Sequence, residues 1–235
     1  MSSRFFVDPP IGDTATLDGA EAHHLLHVMR AKVGDALTLF DGSGVECSAV
    51  VTATRRSEVD CSITQRAEID REPPFELTLG VAMPKGDRQK VMVEKLTELG
   101  VTRLVPLVTE RSVAEPKTAA LDKLRRAVIE ASKQCGRNRL MAIDAPCRFA
   151  SFVESLASAD SIAARKFVMH PTGQAWSPQR VDAACVAAIG PEGGFTDDEC
   201  RLAISRGWAT ASLGPRLLRV ETAAIATACL FGVGS

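Results

Sequence analysis

The sequence predicts an α/β protein, a β-rich segment over residues 1–72 followed by a segment over 73–235 in which strands and helices alternate. Three observations point there. A hairpin pattern, Leu37–Phe40 and Val45–Val51 around the turn Asp41-Gly-Ser-Gly44, lies in the first segment. The polar, proline-broken stretch Asp70-Arg-Glu-Pro-Pro74 reads as a linker, and the hydrophobic grammar changes after it. Two strand-like runs of the second segment end in Gly-Pro turns, at Gly190-Pro191 and Gly214-Pro215, where open parallel sheets place their ligands.

In chain order, one helix is expected from about Gly19 to Arg30, ended before Gly34. The hairpin follows, then a short strand over Val59–Thr64. Past the linker, Leu77–Ala82 reads as a strand. Asp87–Leu99 reads as a helix, because Met92, Leu96 and Leu99 recur at helical spacing and Gly100 can cap it. Arg103–Val108 is the next strand. Leu121, Leu124, Val128, Ala131 and Cys135 follow 3-4-3-4 spacing and predict an amphipathic helix over 118–137. Lys166–His170, Cys185–Ile189 and Thr210–Leu213 read as short buried strands, and Asp197–Arg206 and Glu221–Phe231 as helices. Such alternation predicts a parallel sheet covered on both faces.

Composition narrows the function classes. Apolar residues make up 46% and charged residues 24% of 235, which excludes a disordered, collagen-like or coiled-coil chain. No apolar run reaches membrane-spanning length, and the N-terminal Met-Ser-Ser-Arg-Phe-Phe-Val-Asp-Pro-Pro lacks the apolar block of a signal peptide, so a cytoplasmic protein is expected. The cysteine count is odd, at seven, and no C-x-x-C pair occurs, so neither a disulfide framework nor a zinc ribbon is expected. His23 and His27 stand one helical turn apart near Glu21, but no matching ligand set accompanies them and no metal is expected. The net charge of −1 hides a segregation: residues 1–72 hold 7 basic and 12 acidic groups, and residues 73–140 hold 13 and 8. The basic middle suits a polyanion, and equally a solvated helix surface.

Three segments can carry chemistry. Ala188-Ile-Gly-Pro-Glu-Gly-Gly-Phe195 places three glycines after a strand and before a helix with a capping pattern, Thr196-Asp-Asp-Glu199. It is neither a Walker loop nor a dinucleotide fingerprint, and a plain tight turn has the same composition. Ser212-Leu-Gly-Pro-Arg-Leu-Leu-Arg-Val-Glu-Thr-Ala223 packs Arg216, Arg219, Glu221 and Thr222 into an otherwise apolar run, where polar groups need partners. Met83-Pro-Lys-Gly-Asp-Arg88 again follows a strand and offers Lys85 and Arg88 for phosphate contacts.

Taken together, the motifs resemble the RsmE family of the SPOUT superfamily, which methylates N3 of a specific uridine in 16S ribosomal RNA. The resemblance covers nearly the whole chain. It rests on Arg4-Phe-Phe-Val7, Glu21-Ala-His-His-Leu25, Val28-Met-Arg30, Lys85-Gly-Asp-Arg88 and Lys95-Leu-Thr-Glu-Leu-Gly-Val101. It continues through Glu130-Ala-Ser-Lys-Gln-Cys-Gly-Arg137, Ile189-Gly-Pro-Glu-Gly-Gly-Phe-Thr196 and Leu213-Gly-Pro-Arg-Leu-Leu-Arg-Val-Glu-Thr-Ala223. Val220 departs from the pattern, which more often has a hydroxyl side chain there.

The resemblance implies a PUA-like β-barrel over 1–72 that helps hold RNA, and over 73–235 a SPOUT α/β domain whose last strands and helix form a deep trefoil knot. It implies that S-adenosyl-L-methionine sits in the loops 168–171, 189–194 and 213–223. The residues so implied are His170 and Pro171; Ile189, Gly190, Pro191, Gly193 and Gly194; and Leu213, Gly214, Leu217, Leu218, Arg219, Thr222 and Ala223. It further implies a homodimer acting on 16S rRNA in the small ribosomal subunit. Methyl transfer at N3 requires loss of the N3 proton, so Glu192 or Glu221 is expected to orient or deprotonate the base, and Arg137 or Arg219 to offset negative charge. Arg4, Arg30, Lys85, Arg88, Arg125, Arg126 and Arg139 are the expected RNA contacts. The alternatives are an RNA-binding assembly factor without methyl transfer, a SPOUT enzyme for another RNA site, and an unrelated nucleotide-binding enzyme.

Overall fold

The computed structural model describes residues 4–112, 118–156, 164–175 and 183–232. The chain forms two compact units, residues 1–71 with 132–140, and residues 72–131 with 141–235.

The first unit is built on five strands, β1 (Arg4–Phe6), β2 (Thr14–Leu17), β3 (Ala36–Phe40), β4 (Val45–Thr54) and β5 (Val59–Glu68). Their order across the sheet is β1-β3-β4-β5-β2. The β1–β3 pair is parallel and the others are antiparallel, with β3 and β4 forming the expected hairpin. Alternation decides the faces: Phe5, Leu39, Ala49, Val51, Val59 and Cys61 turn inward to one core. Strands β1 and β2 are three and four residues long, too short for a periodicity to announce them. The expected helix over 19–30 is instead a short α-helix, α1 (Gly19–His23), that widens into a π-helical turn over His24–Val28. The Met29 N–H reaches back five residues to the His24 carbonyl at 3.0 Å. Ala22 and Leu25 stay buried, while Arg30 ends the turn in the left-handed region at φ 56°.

Residues 132–140 belong with this unit, whereas the sequence placed them in the second. Polar contacts explain the difference. The Arg4 guanidinium donates to the Arg137 carbonyl at 3.0 Å, to the Asn138 side-chain oxygen, and to Glu46 at 2.5 Å. Arg71 donates to the Gly136 carbonyl at 2.8 Å, and the Asn138 amide donates to the Ile69 carbonyl at 3.0 Å. Lys133 donates to both oxygens of Glu21, at 2.8 and 3.0 Å.

The second unit contains β6 (Leu77–Val81), α2 (Arg88–Glu98), β7 (Arg103–Val108) and α3 (Thr118–Cys135). It continues with β8 (Ala142–Ile143), β9 (Cys147–Arg148), α4 (Phe149–Ser155), β10 (Arg165–Ala175) and β11 (Cys185–Ile189), then α5 (Asp197–Ser205), β12 (Ala209–Ser212) and α6 (Val220–Gly232). The last four residues of α3 are those that cluster with the first unit. The sheet runs β12-β10-β11-β6-β7-β8, with β9 also pairing β7, and every pairing is parallel. All five residues of β11 are buried, as a central parallel strand covered on both faces requires. Gly80 in β6 has no room for a side chain, since a Cβ there would lie 2.7 Å from Phe152. Helix α4 was not expected. Its signal, Phe149, Phe152 and Val153 turned inward at helical spacing, occupies only seven residues.

Burial also governs the cysteines. Desolvation pushes the Cys61 and Cys185 thiols up to about 11. At pH 8 about one such thiol in a thousand is ionised, and the thiolate is the reactive form. Exposed Cys229 is therefore expected to react first with a disulfide reagent, and Cys61 and Cys185 only on unfolding. Time-resolved thiol counting with peptide mapping checks this; rapid native labelling of Cys61 would contradict it.

Candidate functional site

Strands β10, β11 and β12 are parallel neighbours, so their carboxyl ends open on one side of the sheet. A cavity of about 280 Å³ lies there. Its wall is Met169, His170 and Pro171 from β10; Ile189 and the loop Gly190–Phe195 after β11; Ser212 to Gly214 and Arg216 to Leu218 after β12; Val220 and Ala223 of α6; and Arg111 beyond β7.

The glycine loop has a defined shape. Its Gly194 N–H donates to the Pro191 carbonyl at 2.8 Å, and Gly194 has φ 70°, a conformation that glycine adopts without strain. A Cβ at Gly190 would press Phe195 at 3.1 Å, and Phe195 stacks on Phe149 with centroids 4.5 Å apart. The loop ends in the expected capping box of α5: Thr196 Oγ1 accepts from the Glu199 N–H, and Glu199 Oε2 accepts from the Thr196 N–H at 2.8 Å. The second oxygen of Glu199 accepts from the Glu110 N–H at 3.1 Å, and the next residue, Arg111, donates from Nη1 to the Gly193 carbonyl at 2.6 Å.

On the opposite wall, the β10–β12 register shifts between Met169 and Gln174, both of which pair Ala211. Gly173 lies within the bulge, and a Cβ there would stand 2.7 Å from the Ala211 carbonyl carbon, against backbone rather than a movable side chain. Gly173→Ala is therefore expected to cost about 1–3 kcal/mol by overpacking. Urea unfolding checks this, and an unshifted midpoint would show that the bulge yields freely. Next to the bulge, His170 Nδ1 accepts from the Thr172 N–H at 3.3 Å and lies 2.9 Å from its hydroxyl. Ser212 Oγ accepts from the Gly214 N–H at 3.2 Å and lies 3.2 Å from the Pro171 carbonyl, tying two walls together.

Charge at the mouth is arranged around Arg88. Its guanidinium stands 3.6 Å from Glu221 and 4.0 Å from Glu192. The Glu192 side chain is 52% exposed and lines the cavity; that of Glu221 is 13% exposed, in the first turn of α6, and its Oε2 is buried without a hydrogen-bond partner among the described residues.

Of the residues expected at the cofactor, His170, Pro171, Ile189, Gly190, Pro191, Gly193, Gly194, Leu213, Gly214, Leu217, Leu218 and Ala223 line this one cavity. Arg219 and Thr222 flank its wall without lining it. Arg137 lies in the first unit and is 3% exposed. Arg4 is buried and engaged inside the same unit. Arg30, Lys85, Arg125, Arg126 and Arg139 are exposed. Arg125 already bonds Asp122 at 2.9 Å and the Ile143 carbonyl at 3.1 Å. Arg111 was missed by the sequence reading. The available signal was its place just past the carboxyl end of a parallel strand, as for the other two loops.

Comparison with known proteins decides the family. A family profile described as an RNA methyltransferase domain matches residues 71–231, and one described as an RNA methyltransferase PUA domain matches residues 17–64. A protein of Synechocystis sp., named ribosomal RNA small subunit methyltransferase E, is 34% identical over 228 residues, covering 95% of this chain and 75% of its own. The chain belongs to the RsmE family of RNA methyltransferases. Two solved structures are similar throughout. The RsmE protein of Neisseria gonorrhoeae bound to S-adenosyl methionine is 27% identical with a TM-score of 0.89, over 100% of both chains. A methyltransferase of Legionella pneumophila in complex with the same cofactor is 31% identical with a TM-score of 0.86, over 98% of this chain and 96% of its own. The parallel-sheet unit thus has the SPOUT methyltransferase fold, and the N-terminal strands form the family's PUA domain. Among the described residues, no group of three or more His, Cys, Asp or Glu is placed to hold a metal ion.

Proposed function

We propose that the chain transfers the methyl group of S-adenosyl-L-methionine to N3 of one specific uridine of 16S rRNA in the small ribosomal subunit. The observation that carries this reading is the convergence of three loops on one cavity of about 280 Å³ in a chain of the RsmE family. The residues present fit the cofactor. Bare backbone at Gly190, Gly193 and Gly194 and the apolar walls of Met169, Leu213, Leu217 and Leu218 suit the adenosine of the cofactor. The similar solved structures from N. gonorrhoeae and L. pneumophila hold the same cofactor.

The bound cofactor supplies an electrophilic methyl group. The protein's work is then positioning and proton removal. Glu192, half exposed on the cavity wall, takes the N3 proton of the incoming uracil. Glu221 anchors Arg88, whose positive charge keeps two neighbouring carboxylates compatible and faces the developing negative charge of the ring. Arg219 meets the substrate at the rim, and Arg137 supports RNA binding from within the first unit, as Arg4 does, by holding its fold. Exposed Arg30, Lys85, Arg125, Arg126 and Arg139 contact phosphates, so affinity for RNA falls with salt. The target edge is accessible only in an unpaired base.

The family reading extends to assembly and place. A homodimer is expected from membership of the RsmE family. The trefoil knot is expected from the same membership. The cytoplasm is where the substrate is found, and no helix of the described residues is long and apolar enough to cross a membrane. The deciding experiment is transfer from labelled S-adenosylmethionine to small subunits lacking the modification, with the product nucleoside identified by mass spectrometry. Recovery of 3-methyluridine at one site is expected. Tight subunit binding without transfer would favour an assembly factor, and a different methylated nucleoside would favour another RNA site.

A further inference from the structure

We propose that Arg111 binds the carboxylate of the cofactor's amino-acid tail, with Glu199 as the positioning residue that holds the turn from which Arg111 reaches. The proposal rests on the reading that S-adenosylmethionine occupies the cavity. That cofactor is uncharged at its adenosine end and carries one anionic group, the carboxylate. Two cationic side chains line the cavity, Arg111 and Arg216. They differ in how they are held.

Arg216 has no hydrogen bond or ion pair among the described residues. Arg111 is fixed at both ends. Its backbone sits in a turn closed by the Ser112 N–H on the Thr109 carbonyl at 3.1 Å and the Thr109 N–H on the Ser112 hydroxyl at 2.9 Å. Between those residues, the Glu110 N–H donates to Glu199 Oε1 at 3.1 Å, so the turn is pinned to the start of α5. At the far end, Nη1 donates to the Gly193 carbonyl at 2.6 Å. The stem lies over Gly193 so closely that a Cβ there would approach Arg111 Cδ to 3.3 Å.

A guanidinium has five N–H donors in a planar fork, and Gly193 takes one. Arg111 lines the cavity and is restrained by its bond to Gly193, which leaves further donors for a ligand. That preorganisation favours a planar two-oxygen acceptor, and a carboxylate matches the fork. Although exposed, Arg111 bonds the loop that lines the site.

Glu199 makes the arrangement specific. Both of its oxygens accept backbone N–H groups, one from Thr196 and one from Glu110. A glutamine has a single oxygen acceptor and can satisfy only one of them. Glu199→Gln therefore frees either the cap or the turn while changing few atoms.

The test is calorimetric, on the full chain, with two ligands that differ in the carboxylate alone, S-adenosylmethionine and its decarboxylated analogue. Wild-type protein is expected to prefer S-adenosylmethionine. Arg111→Ala is expected to weaken S-adenosylmethionine by about 10- to 100-fold and the analogue by less than about threefold, so that the preference collapses. Glu199→Gln is expected to weaken S-adenosylmethionine in the same direction, with no further loss when combined with Arg111→Ala. Equal weakening of both ligands by Arg111→Ala would reduce Arg111 to a strut for the glycine loop and overturn the proposal. Collapse of the preference in Arg216→Ala instead would move the carboxylate to the other arginine and overturn it too. Failure of wild-type protein to bind either ligand would defeat the cofactor reading itself.

Discussion

Glu192→Gln is expected to lower kcat for methyl transfer by about 100-fold or more, the usual scale for removing a positioned base, while KM for the cofactor changes little. In the proposed reaction the uracil N3–H has to be lost for the ring nitrogen to accept a methyl group, and an amide cannot take that proton. Two carboxylates stand near the cavity mouth, but only Glu192 lines it, and its side chain is open to an incoming base. Glu221 is turned into the start of α6 beneath Arg88. Glutamine keeps the size of Glu192, whose side chain is half exposed, so folding and cofactor binding should persist. Single-turnover kinetics separate chemistry from RNA binding. If Glu192→Gln retained full turnover and Glu221→Gln lost it, the roles of the two carboxylates would be exchanged.

The second large effect concerns stability. Arg4→Met is expected to destabilise the first unit by about 3–5 kcal/mol, the cost of leaving one partner of a buried pair behind. Arg4 is buried, packs 4.2 Å from the centre of the Phe40 ring, and bonds Glu46, Asn138 and the Arg137 carbonyl at once. Its loss leaves Glu46 with Arg71 alone, at 3.2 Å. The pH dependence follows from Glu46. Burial pushes its carboxyl up, but the hydrogen bonds and charges of Arg4 and Arg71 outweigh that and hold it below its ordinary value of 4.5. A carboxyl depressed by folding contributes stability at higher pH, and the contribution disappears as pH falls through the folded value. Wild-type protein should therefore lose stability below about pH 4.5, and Arg4→Met should show a shallower acid slope. Urea unfolding across pH 3–7 reads both effects, and parallel curves for the two proteins would contradict the assignment.

Much of this was legible in the residues, and the omissions have physical causes. The capping box at Thr196 and Glu199 and the glycine turns announced where α5 begins and where β11 ends, because those interactions are local in the chain. The three-loop cavity was legible only through family resemblance: periodicity places each strand, but nothing local says that β10 lies between β11 and β12. Arg111 escaped because what makes it notable is a carbonyl 82 residues away. The π-helical turn after His23 escaped because apolar spacing does not register one extra residue in a turn. Residues 132–140 were misplaced for a related reason: the helical pattern of α3 is continuous, and it conceals a change of partners in its last turn.

That change of partners bears on the order in which the protein is made. The first unit is discontinuous: Arg4 and Arg71 share Glu46 within residues 1–71, but Arg4 also bonds Arg137 and Asn138, Arg71 also bonds Gly136, and Glu21 bonds Lys133. Emergence of residues 1–71 from the ribosome therefore does not suffice to complete it. Strands β6 and β7 and most of α3 are synthesised first, so residues 1–71 wait, with part of their polar contacts unmade, on a segment encoded within the sequence of the second unit. A gene fragment ending at the linker would lack that segment, whereas the intact chain supplies it in cis before β10, β11 and β12 exist to form the cavity.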